Sequence, residues 1–281
     1  MKGMSIPALS KLVSECWVRA EQKLRESVKT KFPDRDEEIL TDLFHAELAI
    51  EFQTVSATGA VANAFLRDLR NSLPNISDRI LSKIADGLIA TVTFHPKSVE
   101  EKTGGDFGIV IVRPDVRRAL YVGSELTINH DYRRGLLCQA KVFRRNSSWG
   151  GLSSSQRKVL PTRLSYLSLV LYRYSDQRSD RRELEPFQWQ LAQNATVAEI
   201  DKWLHADDFP SLQDSGRILS ALARDLIGTD DKEIIAEFIT PPMRPSLEIN
   251  IHWRDGDGPG DKVRTYESFT AEQATISVRR S

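Results

Sequence analysis

Three residues in two short apolar runs have the types and spacing for hydrolytic chemistry. Asp106 opens the run Phe107-Gly108-Ile109-Val110-Ile111-Val112, after Gly104-Gly105. Gln139 and Lys141 lie inside Leu136-Leu137-Cys138-Gln139-Ala140-Lys141-Val142-Phe143. Side chains of a strand alternate between its two faces. Leu137, Gln139, Lys141 and Phe143 therefore share one face of the second run, and Cys138, Ala140 and Val142 the other. Gly108, Val110 and Val112 follow Asp106 on its face. Both faces are mostly apolar, as in central strands covered on both sides. A Lys and a Gln inside such a strand need partners, and Asp106 is the obvious one. An Asp, a Gln and a Lys converging at one sheet edge can hold a metal ion and an attacking water.

The elements that must position them follow from periodicity and breakers. Ala8 to about Lys31 reads as an amphipathic helix, with Leu9, Leu12, Val13, Cys16, Trp17, Ala20 and Leu24 at helical spacing. Phe32-Pro33-Asp34 breaks it. A second helix starts near Asp34 or Asp36, with acids where the macrodipole favours them, and runs to about Phe52. Residues 56–64 read as a small, polar loop, followed by helices over 64–69 and 76–86. Leu88–Phe94 carries a strand signal. Leu120–Val122 has strand character between the two apolar runs. Ser153-Ser154-Ser155 is an N-cap region for a helix through Leu164 that Pro161 would bend. Tyr166–Tyr174 is a further strand. After Arg182 the pattern turns helical (199–205, 216–227 and 231–238), with a late strand at Leu247–Trp253. The expected organisation is an N-terminal helix (1–33), an α/β core (34–182) and a mainly helical C-terminal region (183–281).

Composition narrows the function classes. At 281 residues, 40% hydrophobic and 28% charged, the chain can bury a sizeable core. Net charge is zero but unevenly spread. Residues 133–182 hold twelve Lys/Arg against two acids, and residues 34–51 hold seven acids against one Arg. The basic field beside Gln139 and Lys141 suits a polyanionic substrate, or is a solvated face. Cys16 and Cys138 show neither zinc spacing nor a disulfide framework, which fits a reducing cytoplasm. Neither a signal peptide nor an apolar run of roughly 18 residues is present, so no membrane span is expected. The five histidines are scattered, and there is no phosphate loop, dinucleotide fingerprint or nucleophile elbow.

From Asp34 the order is helix, strand, strand, strand, helix, strand. With Gly105-Asp106 and Gln139-Ala140-Lys141, this resembles the PD-(D/E)xK nuclease superfamily, the restriction-endonuclease-like fold, over roughly residues 34–176. The motif is a Q-x-K variant, similar to that of several bacterial anti-phage effector nucleases. The resemblance implies a mixed central sheet flanked by helices and a metal-dependent endonuclease that cuts DNA, with a defence role by analogy. Its cofactor would be Mg²⁺ or Mn²⁺. Asp106 would be the central metal ligand, joined by the Gln139 side-chain oxygen and the Ala140 backbone carbonyl. Lys141 would orient or deprotonate the attacking water. Glu38 is the expected carboxylate from the first core helix, with Glu37 and Glu47 as rivals. Gln156 would contact metal-bound water or phosphate, and Arg144, Arg145, Arg157 and Lys158 would hold the nucleic-acid backbone. Gln139 departs from the Asp or Glu of most members, because a neutral amide oxygen carries no charge to the cation. The alternatives are an inactive nucleic-acid-binding or scaffold protein of the same fold, and a nuclease acting on RNA. The C-terminal region would serve a regulatory partner, a homo-oligomer or control of cutting.

Overall fold

A computed structural model describes residues 6–31, 37–75, 77–95, 106–114, 120–122, 125–127, 131–144, 148–175, 183–239 and 246–253. Helix α1 (Pro7–Lys31) starts on a proline, whose missing N–H costs nothing in the first turn. Its stripe of Leu9, Val13, Cys16, Trp17, Ala20, Leu24 and Val28 is buried. Helices α2 (Glu37–Ala57) and α3 (Ala60–Ser72) follow. Residues 56–64, read as a loop, are mostly helical, broken only at Thr58-Gly59, where Gly59 takes a φ of 70°. Tertiary contact explains the difference. The Ser56 hydroxyl donates to the Ala90 carbonyl at 2.8 Å and accepts from the Ala90 amide at 2.9 Å, while Val61, Ala64 and Phe65 are buried. Helix α4 (Asp78–Ala85) completes this layer.

The strands are β1 (Leu88–His95), β2 (Phe107–Pro114), β3 (Leu120–Val122), β4 (Glu125–Thr127), β5 (Asp131–Arg144) and β6 (Ser148–Trp149). After them come helix α5 (Ser154–Val159), β7 (Leu167–Tyr172), β8 (Gln188–Leu191), helix α6 (Val197–Ala206), β9 (Gln213–Asp214), helices α7 (Ser215–Ala223) and α8 (Lys232–Ile239), and β10 (Ser246–Trp253). Seven strands form one mixed sheet in the order β1-β10-β2-β5-β7-β8-β9, with β6 paired to the end of β5 and β3–β4 as a separate hairpin. Strand β10 runs parallel to β2, and β7 parallel to β5; the other pairs are antiparallel. The segment between α5 and β7 is two 3-10 turns rather than a continuing helix, with Pro161 in the first.

The sheet is covered on both faces, and its side chains sort by alternation. Ile109, Ile111, Leu136, Cys138, Ala140 and Val170 pack with Trp17, Phe44 and the stripes of α1, α2, α3 and α7. Val110, Val112, Leu137, Leu169 and Leu171 face the other way, onto Trp149, Leu152, Leu160, Ile200, Leu204 and Ile235. The chain after Arg182 contributes β8, β9 and β10 to this same sheet. Two ties bind it further. Gly135 and Thr229 exchange backbone hydrogen bonds of 2.8 Å each way. Glu21 of α1, buried, accepts from the Phe187 amide at 2.7 Å and the Ser215 hydroxyl at 2.5 Å; that hydroxyl accepts from Trp189 Nε1 at 2.9 Å. Burial pushes the Glu21 carboxyl pKa up. No helix among the described residues is long and apolar enough to cross a membrane.

Candidate active site

Strands β2 and β5 pair antiparallel, with Phe107 opposite Cys138. That register puts Asp106, one residue earlier, beside Gln139 and Ala140. The Asp106 amide donates to the Cys138 carbonyl at 2.9 Å. Asp106 Oδ2 in return accepts from the Ala140 amide at 2.6 Å and from Gln139 Nε2. Gln139 is fully buried. Its Oε1 accepts from Gln156 Nε2 at 2.9 Å.

Gln156 is also buried, and α5 explains why it stands there. Ser153 caps that helix: its hydroxyl accepts from the Gln156 amide at 3.1 Å, and Gln156 Oε1 accepts from the Ser153 amide at 2.8 Å. This is a capping box, with both orphan donors satisfied reciprocally. A chain of hydrogen bonds thus runs from the Ser153 amide through Gln156 and Gln139 to Asp106. Reversing the Gln139 amide alone would set its nitrogen against Gln156 Nε2 and its oxygen against Asp106 Oδ2. Each buried group so left without a partner costs on the order of 1–3 kcal/mol.

Lys141 lies two residues beyond Gln139 on the same face. It is buried, and its Nζ makes a long hydrogen bond of 3.5 Å to the Gly151 carbonyl. Asp106, Gln139 and Gln156 are therefore joined by hydrogen bonds where β5 runs on past the start of β2, and Lys141 follows on the Gln139 face, still paired with β7. Cys138, on the opposite face, is buried, and burial followed by the nearby Asp106 charge raises its thiol pKa well above the ordinary value. It stays a neutral packing group.

The start of α2 is tied to the same edge. Thr41 and Tyr172 hydroxyls hydrogen-bond at 3.2 Å, and Tyr172 pairs with Val142 in the sheet. The His45 ring meets Phe107 edge-on, with centroids 5.6 Å apart. Burial pushes the His45 pKa down to about 4. Glu38 belongs to the first turn of α2, three residues before Thr41; its side chain lies outside the described residues, as do those of Glu37 and Arg144 and the whole of Arg145. Glu47 is one turn before Glu51 on α2, and Glu51 pairs with Lys23 of α1 at 2.6 Å; that hydrogen bond is the chief cause that raises the Lys23 pKa, with the Glu47 charge a smaller one. Arg157 is exposed and pairs with Asp201 of α6 at 3.0 Å, and Lys158 is exposed.

One neighbouring cluster leaves no local marker in the sequence. Arg173, just past β7, stacks over Phe143 at 4.5 Å and Trp149 at 5.2 Å, and its Nη2 reaches Asp207 at 2.5 Å. Asp207 also accepts from Trp149 Nε1 at 2.8 Å. Burial raises the Asp207 pKa, but the hydrogen bonds from Arg173 and Trp149 outweigh it and hold the carboxyl below its usual value. The signal lies in register: β5 and β7 pair Val142 with Tyr172, so Phe143 and Arg173 come next to each other.

Among the described residues no group of three or more His, Cys, Asp and Glu side chains could hold a metal ion. The site's oxygens are the Asp106 carboxylate and backbone carbonyls such as that of Ala140. These are hard donors, the type that Mg²⁺ and Mn²⁺ take, with the charge among the described residues resting on the Asp106 carboxylate. Compared with known proteins, the chain matches no family model and no curated protein.

Proposed function

We propose that the chain is a metal-dependent nuclease that hydrolyses phosphodiester bonds of DNA, built on a restriction-endonuclease-like core. One observation carries this reading: Gln139 is hydrogen-bonded to Asp106 where β2 and β5 meet, buried Lys141 follows on the same strand face, and Gln156 joins Gln139 from the capped start of α5. Mg²⁺ or Mn²⁺ would be held by Asp106, the Ala140 carbonyl and Glu38, and would supply an acidified water and a polarised phosphate. The Gln139 amide and the Ala140 N–H aim donors at Asp106 Oδ2 and fix the carboxylate's orientation. Lys141, buried on the Gln139 face, would place a cation beside the attacking water and the phosphate charge. Arg144, Arg145, Arg157 and Lys158 would hold the backbone of the nucleic acid by sequence-independent contacts. A defence role in the cytoplasm follows only by analogy with Q-x-K effector nucleases.

The test is cleavage of plasmid and linear DNA, with matched RNA, by purified protein in Mg²⁺, Mn²⁺ or EDTA. Metal-dependent cutting that is lost in both Asp106→Ala and Lys141→Ala supports the reading. Cutting that survives both substitutions removes the site. A second reading, a nucleic-acid-binding protein of this fold without catalysis, is favoured by the Gln139 oxygen, which faces Gln156 rather than Asp106. It predicts salt-sensitive DNA binding and no cutting under any metal.

A further inference from the structure

We infer that Gln156 is a positioning residue that makes Gln139 a hydrogen-bond donor to Asp106 and keeps its oxygen out of the cation's ligand set. The inference rests on the reading of Asp106 as a cation ligand. A side-chain amide can be turned end for end, so its orientation is decided by what it meets. Here the chain of amides begins at a group that cannot be turned. The Ser153 backbone N–H can only donate, and it donates to Gln156 Oε1 at 2.8 Å. Gln156 must then present its nitrogen to Gln139, which it does at 2.9 Å. Gln139 must accept with Oε1 and present Nε2 to Asp106, as observed. Gln139 and Gln156 are both buried, so water is a poor substitute for a lost partner.

The helix cap of α5 therefore sets the chemistry at Asp106, through two amides. A cation placed against Asp106 would make a rotated Gln139 oxygen welcome on that side. On the other side the same rotation would oppose two N–H donors, and the capping box prevents Gln156 from turning to relieve them. The consequence is a site whose cation affinity is restrained by Gln156. A carboxylate at position 156 would reverse the relay. One Glu oxygen would still accept the Ser153 N–H, the other would accept from Gln139, and the Gln139 oxygen would turn toward Asp106.

The test uses the full-length protein and Mn²⁺ itself as the probe, with binding followed by electron paramagnetic resonance and calorimetry. Gln156→Glu should bind Mn²⁺ about tenfold more tightly than wild type, the size typical of changes behind a metal ligand. Gln139→Met/Gln156→Glu should lose most of that gain, because the effect passes through the Gln139 amide. If the double variant keeps the gain, the added charge alone explains it and the inference falls. If Gln156→Glu binds no better than wild type, the inference also falls. In EDTA, the Gln139 side-chain amide protons, identified by their loss in Gln139→Glu, should be protected from exchange in wild type and exposed in Asp106→Ala. Equal exchange in the two would overturn the relay, whether or not any metal binds. Failure of wild type to bind Mn²⁺ while this protection holds would count against the nuclease reading and leave the relay standing.

Discussion

Asp106 and Ala140 are locked across the β2–β5 pair: the Ala140 amide donates to Asp106 Oδ2 at 2.6 Å, while the Asp106 amide donates to the Cys138 carbonyl next door at 2.9 Å. The acidic side chain thus closes the end of the ladder as well as facing the site. Asp106→Ala leaves the Ala140 N–H and Gln139 Nε2 without this acceptor. In EDTA it should destabilise the fold by about 1–3 kcal/mol. Urea unfolding checks this, with the midpoint falling and the slope unchanged.

Gly228 approaches Gly135 so closely that a Cβ on it would stand 2.4 Å from the Gly135 carbonyl oxygen, and its φ is +81°. Gly228→Ala should therefore cost about 3 kcal/mol, combining backbone strain with a clash against main chain. Gly59, with a φ of +70° but nothing within 4 Å of its Cβ position, makes the control. Its alanine variant should cost only about 1–2 kcal/mol. Thermal unfolding of the two variants gives the comparison; equal losses would show that the approach to Gly135 has no separate effect.

His45 gives the fold an acid sensitivity of definite sign. Burial holds its pKa near 4, against 6.5 for the free side chain. Between those values the unfolded chain takes up a proton that the folded one refuses. Stability from this residue is therefore complete above pH 6.5 and drains as pH falls toward 4, by about 3 kcal/mol in all. Urea midpoints measured from pH 7 to pH 4 should fall less steeply in His45→Phe than in wild type.

Asp207 holds the β5–β6 hairpin to α6 through Trp149 and Arg173. Asp207→Ala leaves the Trp149 N–H without this acceptor and should cost about 1–2 kcal/mol. Asp207→Asn keeps an acceptor for Trp149 and loses only a part-exposed charge, so it should cost under about 1 kcal/mol. Hydrogen exchange across residues 143–149 should rise in the first variant and little in the second.

Much of the framework is legible in the sequence because it depends on local rules. The alternation around Gln139 and Lys141 set their common face, and the buried stripe of α1 follows from helical spacing alone. Ser153 was recognisable as a cap because capping acts within one turn. Residues 56–64 were not recognisable as helix: their small side chains look like a loop until β1 supplies Ala90 to Ser56 and the core supplies partners for Val61 and Ala64. Strand β10 was visible, but its place between β1 and β2 was not, since pairing partners distant in sequence leave no periodic trace.

The same division runs through the site. Residue types and strand phase by themselves determined that Asp106, Gln139 and Lys141 could meet, because a period of two leaves no choice of face. Only the tertiary structure decided how they meet. The direction of the Gln139 amide depends on Gln156, whose own direction depends on a backbone N–H at Ser153. Glu51 of α2 pairs with Arg19 and Lys23 of α1, and Arg173 arrives beside Phe143 through the register of β5 and β7. Such choices are made by donors and acceptors that lie far apart in the chain, and folding brings them within a hydrogen bond of one another.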